Sequence, residues 1–376
     1  GPYCSLLLAY QGAQVIKSEP LDGELLRKRR EKPHEFFMLN SNKLGMAINL
    51  KSEKGKQLFL SLVKKADVVV ENFSLGTMER LGLGYDVLRH YNPRLIYATG
   101  KGFGLEGPYA SLAAMDLTIQ AVSGVISTTG YPDGEPVKAG PAFCDFMGGV
   151  HLFGGIVTAL YQREKTGKGQ LVEVSMHDAI YPALASPLGA YYSGDDGIPE
   201  RTGNRHSGLA EAPYNVYPVK DGYLAILCIA EEHWISLAKW MGREDLLQDL
   251  RFTTTQERAR HVEELDSIIA SYTRQINKWD AVRQLEAYGV PCAPVLSIAE
   301  VAEDEHLKFR QMIREVTHPK RGKIKVPGTP IRLSDSPLDE IKLAPGLGQH
   351  TEKVLTQLLN LGQDEIEQLK REQVVK

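Results

Sequence analysis

The stretch "PAFCDFMGGVHLFGG", residues 141–155, sets one acid, Asp145, in a run that is otherwise apolar and glycine-rich. A carboxylate withdrawn from water is costly unless it is paired or hydrogen-bonded, so its place needs a reason. Two are open: a helix N-cap, or a nucleophile. From Phe146 to Gln162 apolar residues recur at helical spacing (Met147, Val150, Phe153, Ile156, Val157, Leu160). Asp145 is then expected as the N-cap, ionised at neutral pH because the helix dipole favours the anion. Arg163, Lys165 and Lys168 complement the opposite end. Gly148 and Gly149 take side chains out of the first turn, so that a bulky reactant can approach the acid. Cys144 competes as nucleophile, yet no base stands beside it, and a lone cysteine in an apolar run reads as a small core residue.

Other chemistries find less support. "GFGLEG" (102–107) has the G-x-G-x-x-G spacing of a dinucleotide fingerprint and follows a strand. Pro108-Tyr109 comes next instead of a helix, and no acid ends a second strand at the required distance. A glycine turn that lets backbone approach something closely is the better reading. The ten histidines show no metal spacing; His177 and His206 read as structural or solvent-facing, and no metal is expected. No G-x-S-x-G elbow is present.

The elements that must position Asp145 form an alternating pattern. "SLLLAYQGAQVIK" (5–17) is a helix, a glycine and a short strand. "EKGKQLFLSLVKKADVVVENF" predicts a helix over 53–65 and a strand over 67–70, with Asn72 and Phe73 at the strand's carboxyl end. "YDVLRHYNPRLIYATGKGFG" repeats the plan, and "GQLVEVSMHDAI" is a strand running into a helix. Helices alternating with apolar strands predict a parallel sheet covered on both faces, with ligands at the carboxyl ends of the strands. "ENF" and "GKGFG" fall there. The fold class is α/β. Residues 1–190 are expected as a large domain, 191–220 and 297–329 as long linkers, and 221–296 as a small α+β domain. The amphipathic helical stretch within 330–376 is expected to pack back on the large domain. Arg205 in the first linker reads as a solvated arginine.

Composition bounds the partners. At 376 residues, 43% hydrophobic and 24% charged, this is ordinary soluble globular usage. A net charge of −3 gives no general attraction to nucleic acid or membrane, so an acidic ligand needs a local group of cations. The four cysteines are far apart without a C-x-x-C pair, which fits a reducing compartment such as the cytoplasm, or the mitochondrial matrix in a eukaryote. No apolar run approaches membrane-spanning length, and no signal peptide is read. The chain opens on Gly1 rather than Met, which fits a start lying upstream.

"LNSNK" (39–43), "ADVVVENF" (66–73), "RLGLGYDVLRHYNPRLIYATGKGFG" (80–104), "GPY" (107–109), "QAVSG" (120–124), "HLFGGIVTALYQREKTGKGQLVEVSMHDA" (151–179) and "GVPCAPV" (289–295) occur in that order. As a set they resemble the class III (CaiB/BaiF-type) coenzyme A transferases, a family that includes formyl-CoA:oxalate and carnitine CoA-transferases and the α-methylacyl-CoA racemases. The resemblance implies a Rossmann-like large domain, a small domain, and a homodimer whose subunits interlock like links. It aligns the family's nucleophilic aspartate with Asp145, and its coenzyme-binding positions with Leu50, Lys51, Asn72, Phe73, Ser74, Arg80 and Met115. The reaction implied is transfer of CoA from an acyl-CoA to a carboxylic acid, with coenzyme A as substrate and no permanently bound cofactor. The alternative within the family is an acyl-CoA racemase or isomerase with Asp145 as one base. Met115 stands where racemases place a histidine before Asp116, which favours the transferase. The linker reads "NRHSGLAEAPYNVYPVKDGY" in place of the tetraglycine loop of formyl-CoA transferase.

Overall fold

The computed structural model describes residues 1–376 except 30, 32, 196 and 339. Two compact units emerge. The first holds Gly1–Ile119, Ala142–Ile180 and Ala302–Lys376; the second holds Gln120–Pro141 and Tyr181–Val301.

The first unit begins with α1 (Pro2–Tyr10), whose proline occupies the first turn, where a missing N–H costs nothing. β1 (Val15–Glu19), α2 (Leu25–Lys28), α3 (His34–Asn40), β2 (Lys43–Ala47), α4 (Glu53–Val63) and β3 (Val68–Glu71) follow. Then come α5 (Thr77–Arg80), α6 (Tyr85–Tyr91), β4 (Ile96–Lys101), α7 (Asp116–Val122), α8 (Phe143–Thr166), β5 (Leu171–Ser175) and α9 (Met176–Ile180). The strands pair in parallel, as the alternating pattern predicts, but in two sheets: β1 with β2, and β3-β4-β5. α8 lies on the three-stranded sheet, with Leu152 and Ile156 buried against Cys4, Ala98, Val70 and Val172.

At 24 residues α8 is, by length and composition, the one helix among the described residues that could cross a membrane. No apolar run stands out in the sequence here, because Asp145, His151 and four glycines interrupt the apolar residues. The helix packs on α1, β4, β5 and α9 and buries Arg163, as a helix seated on a sheet does.

Residues 313–327, expected within a linker, form an antiparallel hairpin, Ile313–His318 with Gly322–Pro327. Val316 and Val326 are buried with Leu6, Tyr10, Phe36 and Phe37. In the second strand Lys323 and Lys325 alternate with Ile324 and Val326, a two-residue period that the first strand lacks. The helical end of the chain is two helices, Thr351–Leu359 and Gln363–Arg371, parted by Asn360 in the left-handed region (φ 56°). Val354, Leu355, Ile366 and Val375 bury with Met46 and Ile48 of the β2 region.

The second unit has an antiparallel three-stranded sheet, Tyr214–Val219, Gly222–Leu227 and Cys292–Pro294, of which the first strand lies in the expected linker. Its helices close a core around Trp234, Leu237, Phe252, Leu265, Ile269 and Leu285.

Lys43 is the first unit's most demanding buried residue. Its ammonium donates to the carbonyls of Pro2 (2.9 Å) and Leu39 (2.7 Å), to Ser5 Oγ (2.9 Å) and to Asn40 Oδ1 (3.0 Å). Burial pulls its pKa down to about 7. One side chain thus ties the start of α1 to the end of α3. Lys43→Met should strand these acceptors, at about 1–3 kcal/mol for each that stays dry. The urea midpoint is expected to fall with the slope unchanged; a parent-like midpoint would mean that water reaches the carbonyls.

Candidate functional site

Asp145 is not the N-cap. α8 starts two residues earlier at Phe143, and Ala142 holds the cap position without a side-chain hydrogen bond. The capping role passes to a distant residue: Asp116 Oδ1 accepts the N–H of Cys144 at 2.8 Å and of Asp145 at 3.2 Å. A carboxylate at a helix N-terminus is well placed, and this one leaves Asp145 free to point outward, exposed. The electrostatics also differ from the dipole expectation. Partial desolvation, followed by the neighbouring Asp116 charge, raises the Asp145 carboxyl above its usual range.

The glycines admit protein, not a reactant. A Cβ on Gly149 would lie 3.3 Å from the Tyr3 side chain, and one on Gly148 would lie 2.9 Å from Met176 Cγ. Both glycines are buried. They let α1 and α9 press on α8, and Tyr3 stacks on Phe146 with ring centroids 4.6 Å apart. Cys144 is fully buried, and burial, reinforced by Asp116 and Asp145, pushes its thiol up to about 12. That is the setting of an inert thiol.

The other expected site residues fall into two groups. Asn72, Phe73 and Ser74 form the loop that leaves β3 at its carboxyl end, and Phe73 is 49% exposed. This loop meets the start of α1, since a Cβ on Gly1 would lie 2.5 Å from Asn72 Oδ1. The first turn of α1 therefore touches the loop at Gly1 and the first turns of α8 at Tyr3. Met115, 73% exposed, joins them through its neighbour Asp116. Arg80 ends α5 and folds back on the same loop, donating to Leu75 O (3.3 Å) and Thr77 Oγ1 (2.9 Å). Leu50 and Lys51 follow β2, and Leu50 packs against the cluster that includes Leu60 and Val63 of α4 and Met78 of α5. Leu50 packs toward α4 with Leu58, Phe59 and Leu62, while Lys51 is exposed.

A cavity of about 390 Å³ opens beside the loop, lined by Glu71, Ser74, Gly76, Tyr85, Tyr97 and Lys101 among others. Glu71, Thr99 and Lys101 escaped the sequence reading as individuals. Their signal was position, at the ends of adjacent parallel strands. "GFGLEG" forms a glycine turn, with Gly104 and Gly107 at positive φ and no helix opening behind them. A Cβ on Gly102 would lie 2.0 Å from Ala114 Cβ.

His177 lies edge-on to Phe103, and His206 to Tyr214. Among the described residues no group of three His, Cys, Asp or Glu is placed to hold a metal. Arg205 is not a solvated arginine: it donates to the buried Asp266 at 2.8 Å, which also accepts from Asn215 and Tyr217.

Over residues 1–351 the sequence matches the model of CoA-transferase family III. It is 37% identical to the formyl-CoA:oxalate CoA-transferase of Streptomyces coelicolor, over all of this chain and 95% of that one. To the succinyl-CoA:mesaconate CoA-transferase of Haloarcula marismortui it is 36% identical, over 94% and 92% of the two chains. The fold is similar to that of a CaiB/BaiF family protein from Brucella suis, with a TM-score of 0.82 and 33% identity over 95% of each chain. The chain belongs to CoA-transferase family III, a family of enzymes.

The raised Asp145 pKa has a sign that can be checked. Between the ordinary carboxyl pKa and the raised value the folded chain holds a proton that the unfolded chain has lost, so stability falls as pH rises through that window. Asp145→Asn removes the penalty. The variant is expected to be more stable than the parent at neutral pH and to converge with it below about pH 4. An Asn variant that is less stable at neutral pH would show that the carboxylate is held as an anion.

Proposed function

We propose that this protein moves CoA from an acyl-CoA donor to a small carboxylic acid, with Asp145 as nucleophile. The observation that carries the reading is the exposed Asp145 carboxylate in the first turn of α8, relieved of the capping duty by Asp116. An Asp145 oxygen attacks the thioester carbonyl carbon, the C–S bond breaks, and a mixed anhydride forms with CoA thiolate as leaving group. The thiolate then attacks the aspartyl carbonyl, releasing the first acid as its carboxylate and leaving an aspartyl-CoA thioester. The acceptor carboxylate attacks that thioester and expels the thiolate. The thiolate takes the acceptor's acyl group and restores Asp145. Each half-step exchanges like for like, without net proton or electron change, which suits covalent catalysis of a nearly isoenergetic transfer. Backbone N–H groups stabilise the oxyanions. The N–H groups of residues 144 and 145 are already engaged by Asp116, so the donors are others.

In this reading coenzyme A lies along Asn72, Phe73 and Ser74, with Arg80 on a phosphate, and with Met115, Leu50 and Lys51 as further contacts. No permanently bound cofactor takes part. The relatives named above act on formyl-CoA or succinyl-CoA and on oxalate or mesaconate, so the class of substrates is a short acyl-CoA and a small acid. The functional form is an interlocked homodimer of a Rossmann-like large domain and a small α+β domain joined by long linkers. The four unpaired cysteines suit a reducing compartment such as the cytoplasm.

Asp145→Ala should abolish transfer and still fold, because the cap belongs to Asp116. Cys144→Ser should keep most of the activity. Hydroxylamine added with acyl-CoA should trap the adduct on the peptide holding Asp145, as read by mass spectrometry. The reading falls if Cys144→Ser is the inactive variant or if Asp145→Ala transfers CoA at a comparable rate.

The racemase alternative makes a separate claim. Met115 has no titratable proton, so a two-base exchange lacks one partner. With a 2-methylacyl-CoA in heavy water, little deuterium should enter the α-carbon; rapid entry would favour the racemase.

A further inference from the structure

The carboxyl ends of β3 and β4 carry an ion pair that the proposed chemistry does not use. Glu71, the last residue of β3, is 6% exposed, and the side chain of Lys101, the last residue of β4, is 10% exposed. Lys101 Nζ lies 2.8 and 3.0 Å from the two carboxylate oxygens. Each partner also reaches the same residue. Glu71 accepts the N–H of Phe73 at 2.8 Å, and Lys101 donates to the Phe73 carbonyl at 2.6 Å. The Thr99 hydroxyl donates to Glu71 as well. Both backbone polar groups of one loop residue are thus held by a single buried pair.

A buried ion pair adds little stability over apolar residues of the same volume, because desolvating the charges offsets their attraction. Its benefit here is geometric. A residue two positions past a strand end is ordinarily free to rotate; one whose N–H and C=O are both fixed is not. Phe73 is that residue; it is half exposed, and Glu71 and Ser74 on either side of it in the chain line the cavity. At the far end of the loop Arg80 folds onto Leu75 O and Thr77 Oγ1. A loop already ordered loses less freedom when a ligand arrives.

We propose that Glu71 and Lys101 are positioning residues for the coenzyme-binding loop, setting affinity for coenzyme A by holding Phe73 without touching the coenzyme. This rests on the reading of Asn72, Phe73, Ser74 and Arg80 as coenzyme contacts.

The test measures binding of free coenzyme A to the full chain by calorimetry, together with KM and kcat. Lys101→Met is expected to weaken binding about tenfold and to raise KM for acyl-CoA by the same factor, with kcat at saturation within about twofold of the parent. Lys101→Arg keeps the charge and should restore most of the affinity. Thr99→Val removes another buried partner of Glu71 without touching the loop and should bind as the parent does. If Lys101→Met does not fold, the neutral pair Glu71→Gln with Lys101→Met carries the same expectation. Parent-like affinity in these Lys101 variants overturns the proposal. So does an equal loss in Thr99→Val, the mark of a purely structural knot. Phe73→Ala and Arg80→Ala, measured alongside, separate the two levels. If neither weakens binding, the loop is not the coenzyme site and the underlying reading falls. If both do and Lys101→Met does not, the positioning role alone falls.

Discussion

Helix α8 is held at both ends by side-chain hydrogen bonds that join it to other elements. Near its carboxyl end the buried Arg163 donates to Asp67 Oδ1 at 2.8 Å and to the Arg94 carbonyl at 3.2 Å, pinning the helix to the starts of β3 and β4. At its amino end Asp116 takes two of the four N–H groups that any helix leaves without intrahelical partners. Between these points glycines bring the helix close to α1, α9 and β5; a Cβ on the half-buried Gly155 would lie 2.8 Å from Val172 Cγ1. A helix fixed in this way can neither slide nor roll without breaking an ion pair or a close contact. The place of Asp145 follows from that, since its backbone is part of the gripped first turn.

The loop after β3 obeys the same logic at smaller scale. Glu71 and Lys101 secure its beginning, Arg80 its end, and Gly76, in the left-handed region at φ 74°, makes the turn between them. Both the loop and the acid lie against the first turn of α1, which Lys43 holds from beneath through the Pro2 carbonyl. A group in the loop and one on α8 therefore share a common support.

Much of this was legible in the sequence, though not always for the right reason. The alternation of helix and apolar strand identified the parallel α/β unit, and the strand-end rule pointed to "ENF" and "GKGFG". Asp145 stood out as an acid among apolar neighbours, yet its capping role belongs to Asp116, some 29 positions away in the chain. Local spacing carries no trace of a cap supplied from such a distance. Gly148 and Gly149 were visible as missing side chains, but what fills the space is Met176 and Tyr3, which only the packing reveals. The Ile313–Pro327 hairpin was hidden because charges on its outer face broke up the apolar signal of its inner one. Arg205 read as a solvated cation and Lys43 stood out only as the end of "LNSNK"; burial and partners from elsewhere in the chain make both structural.

The first unit is sewn shut by residues made some 300 positions after its first helix. Tyr10 donates its hydroxyl to the Pro327 carbonyl at 2.9 Å, α1 shares its core with Val316, Val326 and Ile341, and Ile48 pairs with Val375. On the ribosome, α1 and the β1–β2 pair must wait while some 300 further residues are added, on the order of 15–60 s at about 5–20 residues per second. Over that interval Leu6, Phe36 and Phe37 lack the hairpin that covers them, and β2 lacks the helices that close over Met46. The core around Trp234 and the strands beside it lie within 214–294. Synthesis therefore completes the core of the second unit before that of the first. Until then the apolar residues of α1, α3 and β2 stay uncovered, the aggregation-prone condition of late-closing, non-local folds.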